Sequence, residues 1–303
     1  MRTESQALVL FVVIALLGCG NGESSTNAPV ARTVADQRDA PYRLDAPDAR
    51  FELPDALDEI SGLTMLDEQH LGAVQDEKGD LYVLDAATGA VVHTHDFGKR
   101  GDYEGVERVR EFVIVLRSDG RLYVIDDWTA DASEARSVET GLHGSCDAEG
   151  LAFDAEATRL LIACKEHPGR GYRGSRTIYA FDPSTNRLDP VPAFVIRRDA
   201  LASEGNGVDV AVRSFVEPVI DFNAFKPSAV AVHPLTGEVY VLSSVRKVLL
   251  VLDGSGALVA EWPLSESLLR QPEGLAFAAD GTLFIASEAD GGTAVVLRFD
   301  YRP

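Results

Sequence analysis

A short phrase recurs along the chain: an acidic or small polar residue, then glycine or alanine, then alternating apolar residues. It reads Asp147-Ala148-Glu149-Gly150-Leu151-Ala152-Phe153, and again Tyr103-Glu104-Gly105-Val106 and Pro272-Glu273-Gly274-Leu275-Ala276-Phe277. Two copies carry Ser where the others carry Glu: Ile60-Ser61-Gly62-Leu63-Thr64 and Pro227-Ser228-Ala229-Val230-Ala231-Val232. The aligned column is Ser61, Glu104, Glu149, Ser228 and Glu273, with steps of 43, 45, 79 and 45 residues. A period in the forties marks a repeat architecture, and at this length it favours four-stranded propeller blades.

The segments between the phrases support that reading. Helical periodicity is scarce, and alternating apolar runs bounded by Gly, Asp, Pro and Asn are abundant. The first unit predicts strands over 61–66, 70–74, 81–84 and 91–95, with Asp85-Ala86-Ala87-Thr88-Gly89 as the last hairpin turn. Later units repeat the pattern, but the fifth has no fourth strand before Pro303. Residues 50–53 precede the first repeat much as residues 260–263 precede the fifth. An N-terminal strand joining the last blade would close the ring and remove a free sheet edge. The long step holds an insert, mostly between Asp199 and Ala224, with a candidate helix over 199–203. The expectation is an all-β, five-bladed β-propeller closed by the N-terminal strand. Six blades, one of them degenerate, is the alternative.

The N-terminus should not be read as fold. Met1 and Arg2 precede an apolar run from Ala7 to Leu17. That run falls short of the roughly 20 residues a bilayer span needs, and it suits the core of a signal peptide. It ends in Leu16-Leu17-Gly18-Cys19, which resembles the lipobox of bacterial lipoproteins, where the Cys becomes the lipidated first residue. Residues 1–18 are therefore read as a lipoprotein signal peptide and Cys19 as the lipidation site. Residues 19–40, rich in small and polar residues, read as a flexible tether, and residues 41–303 as the propeller domain. The residues after Cys19 lack the Asp that favours inner-membrane retention. The expected location is the cell envelope, at the outer membrane, facing the periplasm or the surface.

Lys and Arg number 28 against 48 Asp and Glu, a net charge of −20. Such a surface argues against nucleic acid and against anionic lipid as docking partners, so the membrane is expected to be met through the lipid anchor only. Two cysteines remain after Cys19. Cys146 precedes one predicted strand and Cys164 ends the next, nearly opposite if those strands form a hairpin. In an oxidising compartment the pair can close as a disulfide; two buried free thiols are the alternative.

A second column emerges when the second strands are aligned by their ends: Glu77, Ser118, Glu166, Ser244 and Glu288. The end of a second strand lies beside the start of the first, so both columns fall at one mouth of the channel. Carboxylates converging there must take up protons or bind a cation. Oxygen ligands of this kind suit Ca²⁺. The candidate metal ligands are Glu104, Glu149, Glu273, Glu166, Glu288 and Glu77. The bland alternative is that each Glu caps its own blade. The loop from His167 to Arg176 belongs to the same face, and its Arg170 and Arg173 are candidates for holding an anionic ligand.

These phrases, with Ala163-Cys164-Lys165-Glu166 among them, resemble the SdiA-regulated family of bacterial exported proteins over about residues 50–301. The resemblance implies a five-bladed β-propeller, distantly like NHL-repeat proteins, with a calcium site and no established activity. Arg117-Ser118 departs from it, standing where an acidic pair often stands. The functional expectation is a lipid-anchored, calcium-binding propeller, not an enzyme, that binds a small ligand or an envelope protein on its acidic face. A calcium-dependent hydrolase of the lactonase or esterase-like phytase type is the alternative, on fold analogy alone.

Overall fold

A computed structural model describes residues 40–144, 146–197 and 225–303. The expected signal peptide, nearly all of the expected tether and the helix expected at 199–203 lie outside these residues. After a short strand β1 (Ala49–Glu52), four strands form the first blade: β2 (Ile60–Met65), β3 (His70–Gln75), β4 (Asp80–Asp85) and β5 (Val91–Asp96). The second holds β6 (Tyr103–Val109), β7 (Phe112–Arg117), β8 (Arg121–Ile125) and β9 (Arg136–Glu139). The third holds β10 (Ala148–Asp154), β11 (Arg159–Cys164), β12 (Ser175–Asp182) and an outer strand in two pieces, β13 (Arg187–Leu188) and β14 (Phe194–Arg197), both paired with β12. The fourth holds β15 (Ala229–Val232), β16 (Val239–Ser243), β17 (Val248–Leu252) and β18 (Leu258–Pro263). The fifth holds β19 (Gln271–Phe277), β20 (Leu283–Glu288) and β21 (Val295–Phe299).

The chain is a five-bladed β-propeller. The missing outer strand of the fifth blade is β1, antiparallel to β21 with Ala49 opposite Arg298 and Glu52 opposite Val295. The ring is therefore closed by hydrogen bonds between the two ends of the domain. A second N-terminal contact reinforces them. Tyr42 is buried among His233, Tyr240, Phe277 and Tyr301, and its hydroxyl donates to the carbonyl of Gly281 at 2.7 Å.

Burial follows the position of each strand in its blade. Middle strands are covered on both faces by neighbouring blades, so a period-2 alternation gives way to continuous apolar runs. Every residue of β16 and β17 is buried. The outer strand β9 has one face on solvent and exposes three of its four residues. The apolar core divides into five clusters, one between each pair of adjacent blades. One of them joins Leu66, Val74, Leu81 and Val83 of the first blade to Tyr103, Val106, Val113 and Val115 of the second. On the rim of the first blade, His95 is fully buried, with Nδ1 2.6 Å from the Ala130 carbonyl and Nε2 3.0 Å from the Ser133 hydroxyl. This Ser–His pair ties a connection of the second blade over β5.

The innermost strands meet around the channel with no room to spare. A Cβ added at Gly62 would lie 3.0 Å from the Gly105 Cα, and one at Gly105 3.0 Å from the Leu151 Cβ. One at Gly150 would lie 2.9 Å from the Val230 nitrogen, and one at Gly274 2.9 Å from the Leu63 Cβ. The glycine of the repeated phrase is thus the residue that lets one blade lie against the backbone of the next. We expect Gly150→Ala to cost about 1–3 kcal/mol by overpacking. Gly254→Ala, at a turn with nothing within 4 Å of the added atom, is the control and should shift the urea midpoint little. Equal midpoints for the two variants would refute the packing role.

Candidate functional site

The residue before each glycine is set apart by the strand pairing. In β2, β6, β10 and β19 the register skips one residue, between Ile60 and Gly62, Tyr103 and Gly105, Ala148 and Gly150, and Pro272 and Gly274. The skipped residues are Ser61, Glu104, Glu149 and Glu273. A residue extruded as a bulge is released from the ladder and re-aimed. These four side chains line one cavity of about 10 Å³ on the channel axis, together with the backbone of Gly62, Gly105 and Gly150. That is the space of about one water-sized occupant.

The two hydroxyls and the three carboxylates of this column are used differently. The Ser61 hydroxyl donates to the Tyr103 carbonyl at 2.6 Å, and the Ser228 hydroxyl donates to the Pro272 carbonyl at 2.8 Å. Each serine thus bridges to the following blade, one residue before that blade's own Glu. Glu149 and Glu273 are only 4% and 6% exposed. Burial pushes both above the ordinary carboxylate range, as it does Glu104, to which the charge of Glu149 and a hydrogen bond with Asp102 add in the same direction.

The second column is displaced by one residue in two blades. Gln75 is opposite Ile60 and Cys164 is opposite Ala148, so the next residues along, Asp76 and Lys165, occupy the place that Ser118, Ser244 and Glu288 hold elsewhere. A one-residue step turns a strand side chain to the other face. Glu77 lies on the exposed rim, paired with Arg100, and Glu166 pairs there with Lys226. Lys165 instead turns inward, and its Nζ donates to Glu149 Oε1 at 2.9 Å. Burial opposes the charge of that ammonium, but Glu149, Glu273 and Glu104 outweigh it and raise its pKa. Asp76 is pushed up to about 6 by burial and then by Glu59, and Glu288 to about 8 by burial and then by Glu273. One oxygen of Asp76 is buried without a hydrogen-bond partner. Lys165, Asp76 and Glu59 were not among the residues picked out by the repeat. The pairing of Gln75 with Ile60 and of Cys164 with Ala148 puts the first two in line with the column, and a count from the ends of the apolar runs does not see that register.

Three further features frame the mouth. Cys146 and Cys164 are joined by a disulfide with Cα atoms 5.3 Å apart, at the base of the hairpin that carries Glu149 and Lys165. Arg117 faces away, held by Asp119 and stacked over Tyr123. Arg170 and Arg173 are exposed on the connecting loop, and among the described residues neither has an ion-pair partner. Deeper in the channel, Glu107 accepts from the Thr64 hydroxyl at 2.8 Å and from the backbone of Phe153 at 3.2 Å, which links the inner strands of three blades.

The donors at the mouth are carboxylates and hydroxyls, the chemistry a hard cation takes. Their spacing is different. Among the described residues, no three His, Cys, Asp or Glu side chains come close enough to hold an ion. Lys165 already supplies positive charge to Glu149. As arranged, the mouth does not fit a calcium ion.

The raised carboxylates make stability depend on pH in a defined direction. A carboxylate whose folded pKa lies above its unfolded value contributes stability at low pH and loses it as pH rises through the folded pKa. For Glu288 the window runs from its ordinary value of 4.5 to about 8. Glu288→Gln, which cannot ionise, should therefore match the parent at pH 5 and melt higher than the parent at pH 8.5. Comparing variant with parent cancels His233, whose pKa burial lowers and which works in the opposite sense. A difference in melting temperature that stays constant from pH 5 to 8.5 would contradict the assignment.

Comparison with known proteins agrees with the fold. The glutaminyl cyclase of Myxococcus xanthus superposes with a TM-score of 0.56 at 13% identity, over 85% of this chain and 96% of that one. The PQQ-bound aldose sugar dehydrogenase of Streptomyces coelicolor does so with a TM-score of 0.52 at 15% identity, over 84% and 99%. At such identities the likeness is one of fold alone. Residues 41–290 match the SdiA-regulated family, and the match covers most of the propeller. The chain belongs to the SdiA-regulated family.

Proposed function

We propose that this is a non-catalytic, exported binding propeller whose channel mouth accepts a cationic group carried by a small ligand or an envelope partner. The observation behind this reading is the charge balance at the mouth. Glu104, Glu149, Glu273, Glu288 and Asp76 are gathered there, with Lys165 the one cation among the channel-facing positions of the two columns. An organic ammonium or guanidinium needs acceptors around it but not the tight inner shell that a metal ion demands. In this reading the chain is held at the envelope by lipid on Cys19. Among the described residues, no helix is long and apolar enough to cross a membrane.

Calcium keeps a place as a second reading because every donor at the mouth is oxygen. The spacing of the carboxylates and the seat of Lys165 count against it. The calcium-dependent hydrolase needs that same ion with an open coordination position, so it is not adopted.

Calorimetric titration of the chain from Cys19 onward, with spermidine and separately with CaCl₂, tests the proposal. Spermidine should bind, and Glu273→Gln with Glu288→Gln should weaken it at least about tenfold, the equivalent of about 1.4 kcal/mol. Binding should also fade in high salt. No heat with spermidine would overturn the reading. Heat with CaCl₂ alone would replace it with the metal reading.

A further inference from the structure

Of the five residues that follow the second strand at the mouth, Asp76, Ser118, Lys165, Ser244 and Glu288, one is positive. It is held from three sides. Its backbone nitrogen donates to the Asp147 carbonyl at 2.8 Å. Its chain neighbour Cys164 is bonded to Cys146, three residues before Glu149. Its ammonium reaches the nearly enclosed Glu149 at 2.9 Å while the Lys side chain itself keeps 29% exposure. A carboxylate so enclosed is tolerated only with a partner, and removing that partner is costly. The same ammonium repels any second cation brought beside it.

We infer that Lys165 is the resident counter-ion of the channel mouth, and that it determines which cations the mouth takes. It stands in for a divalent ion at Glu149, and Glu273 and Glu288 feel its charge but take no direct bond from it. The inference rests on the mouth being a cation site, and it accounts for a carboxylate set that, among the described residues, does not close on a metal ion. An incoming divalent ion must displace Lys165 from Glu149. A ligand that fits beside Lys165 need not.

The test uses Lys165→Met, Lys165→Arg and the double variant Lys165→Met/Glu149→Gln, with CaCl₂ as the probe. Lys165→Met should bind Ca²⁺ at least about tenfold more tightly than the parent, while Lys165→Arg, which keeps the charge, should not. In metal-free buffer Lys165→Met should melt at least about 5 °C lower, and adding Glu149→Gln should restore most of the loss. Lys165→Arg should melt near the parent. Calcium affinity unchanged or weakened in Lys165→Met, or losses that simply add in the double variant, would overturn the inference. The two readings fail separately. If spermidine does not bind but Lys165→Met gains calcium and the double variant recovers, cation binding by the parent is lost and the counter-ion role stands. If spermidine binds but Lys165→Met neither gains calcium nor is rescued, the counter-ion role is lost and the binding reading stands.

Discussion

The contact on which this propeller depends is the approach of each innermost strand to the backbone of its neighbour. Gly62 lies against Gly105, Gly105 against Leu151, Gly150 against Ala229 and Val230, and Gly274 against Leu63. Blade four, with Ala229 at the equivalent place, is the one step made with a methyl group. A ring of five blades leaves a narrow channel, and side chains larger than these would force the inner strands apart. The tight ring also determines what happens to the residue just before each glycine. It cannot pack between blades, so it is extruded as a bulge and aimed at the axis. The polar mouth is thus a by-product of the packing that closes the ring, and the acidic phrase and the glycine phrase are one structural device.

Gathering carboxylates in this way carries an electrostatic cost, which is met differently around the ring. Blades one and four use Ser at the position before the glycine or alanine, and its hydroxyl bridges to the next blade's backbone. Blade three meets its Glu149 with Lys165. Glu273 feels the charge of Lys165 and has the side chains of Ser244, Gln271 and Ser228 about it, yet burial still drives its pKa upward. Glu104, beside Glu149 and Asp102, is driven up to about 10, and Asp76 and Glu288 up to about 6 and about 8, burial leading in each case even though Lys165 draws Glu104 and Glu288 the other way. Among the described residues, carboxyls without a direct cation partner therefore remain in blades two, five and one. On the proposed reading, these carboxyls are what separates a binding surface from a set of strand caps.

Much of this was legible in the sequence, and the part that was not has a single cause. Blade number, strand limits to within a residue or two and closure by residues near 50–53 follow from spacing and turn chemistry, which act locally. The first column was legible because the Glu-Gly phrase is itself the bulge. The second column was read from strand ends, and there Glu77 and Glu166 were aligned with Ser118 and Glu288. The pairing puts Asp76 and Lys165 in that place instead. Because side chains alternate with a period of two, a one-residue shift exchanges rim for mouth. Nothing in the composition near Lys165-Glu166 announces which of the two turns inward; only the partner strand decides it.

The placement of the disulfide connects the fold to the site. Cys146 and Cys164 tie the start of β10 to the end of β11, and the residues on either side of that tie are Glu149 and Lys165. The tie lies in the blade where the mouth holds its own cation. It also adjoins the loop that carries Arg170 and Arg173. A covalent link at that point keeps the Lys165–Glu149 pair in register. Blade three is then the covalently tied side of the mouth, and on the proposed reading a cationic ligand would meet the carboxyls of blades two, five and one beside it.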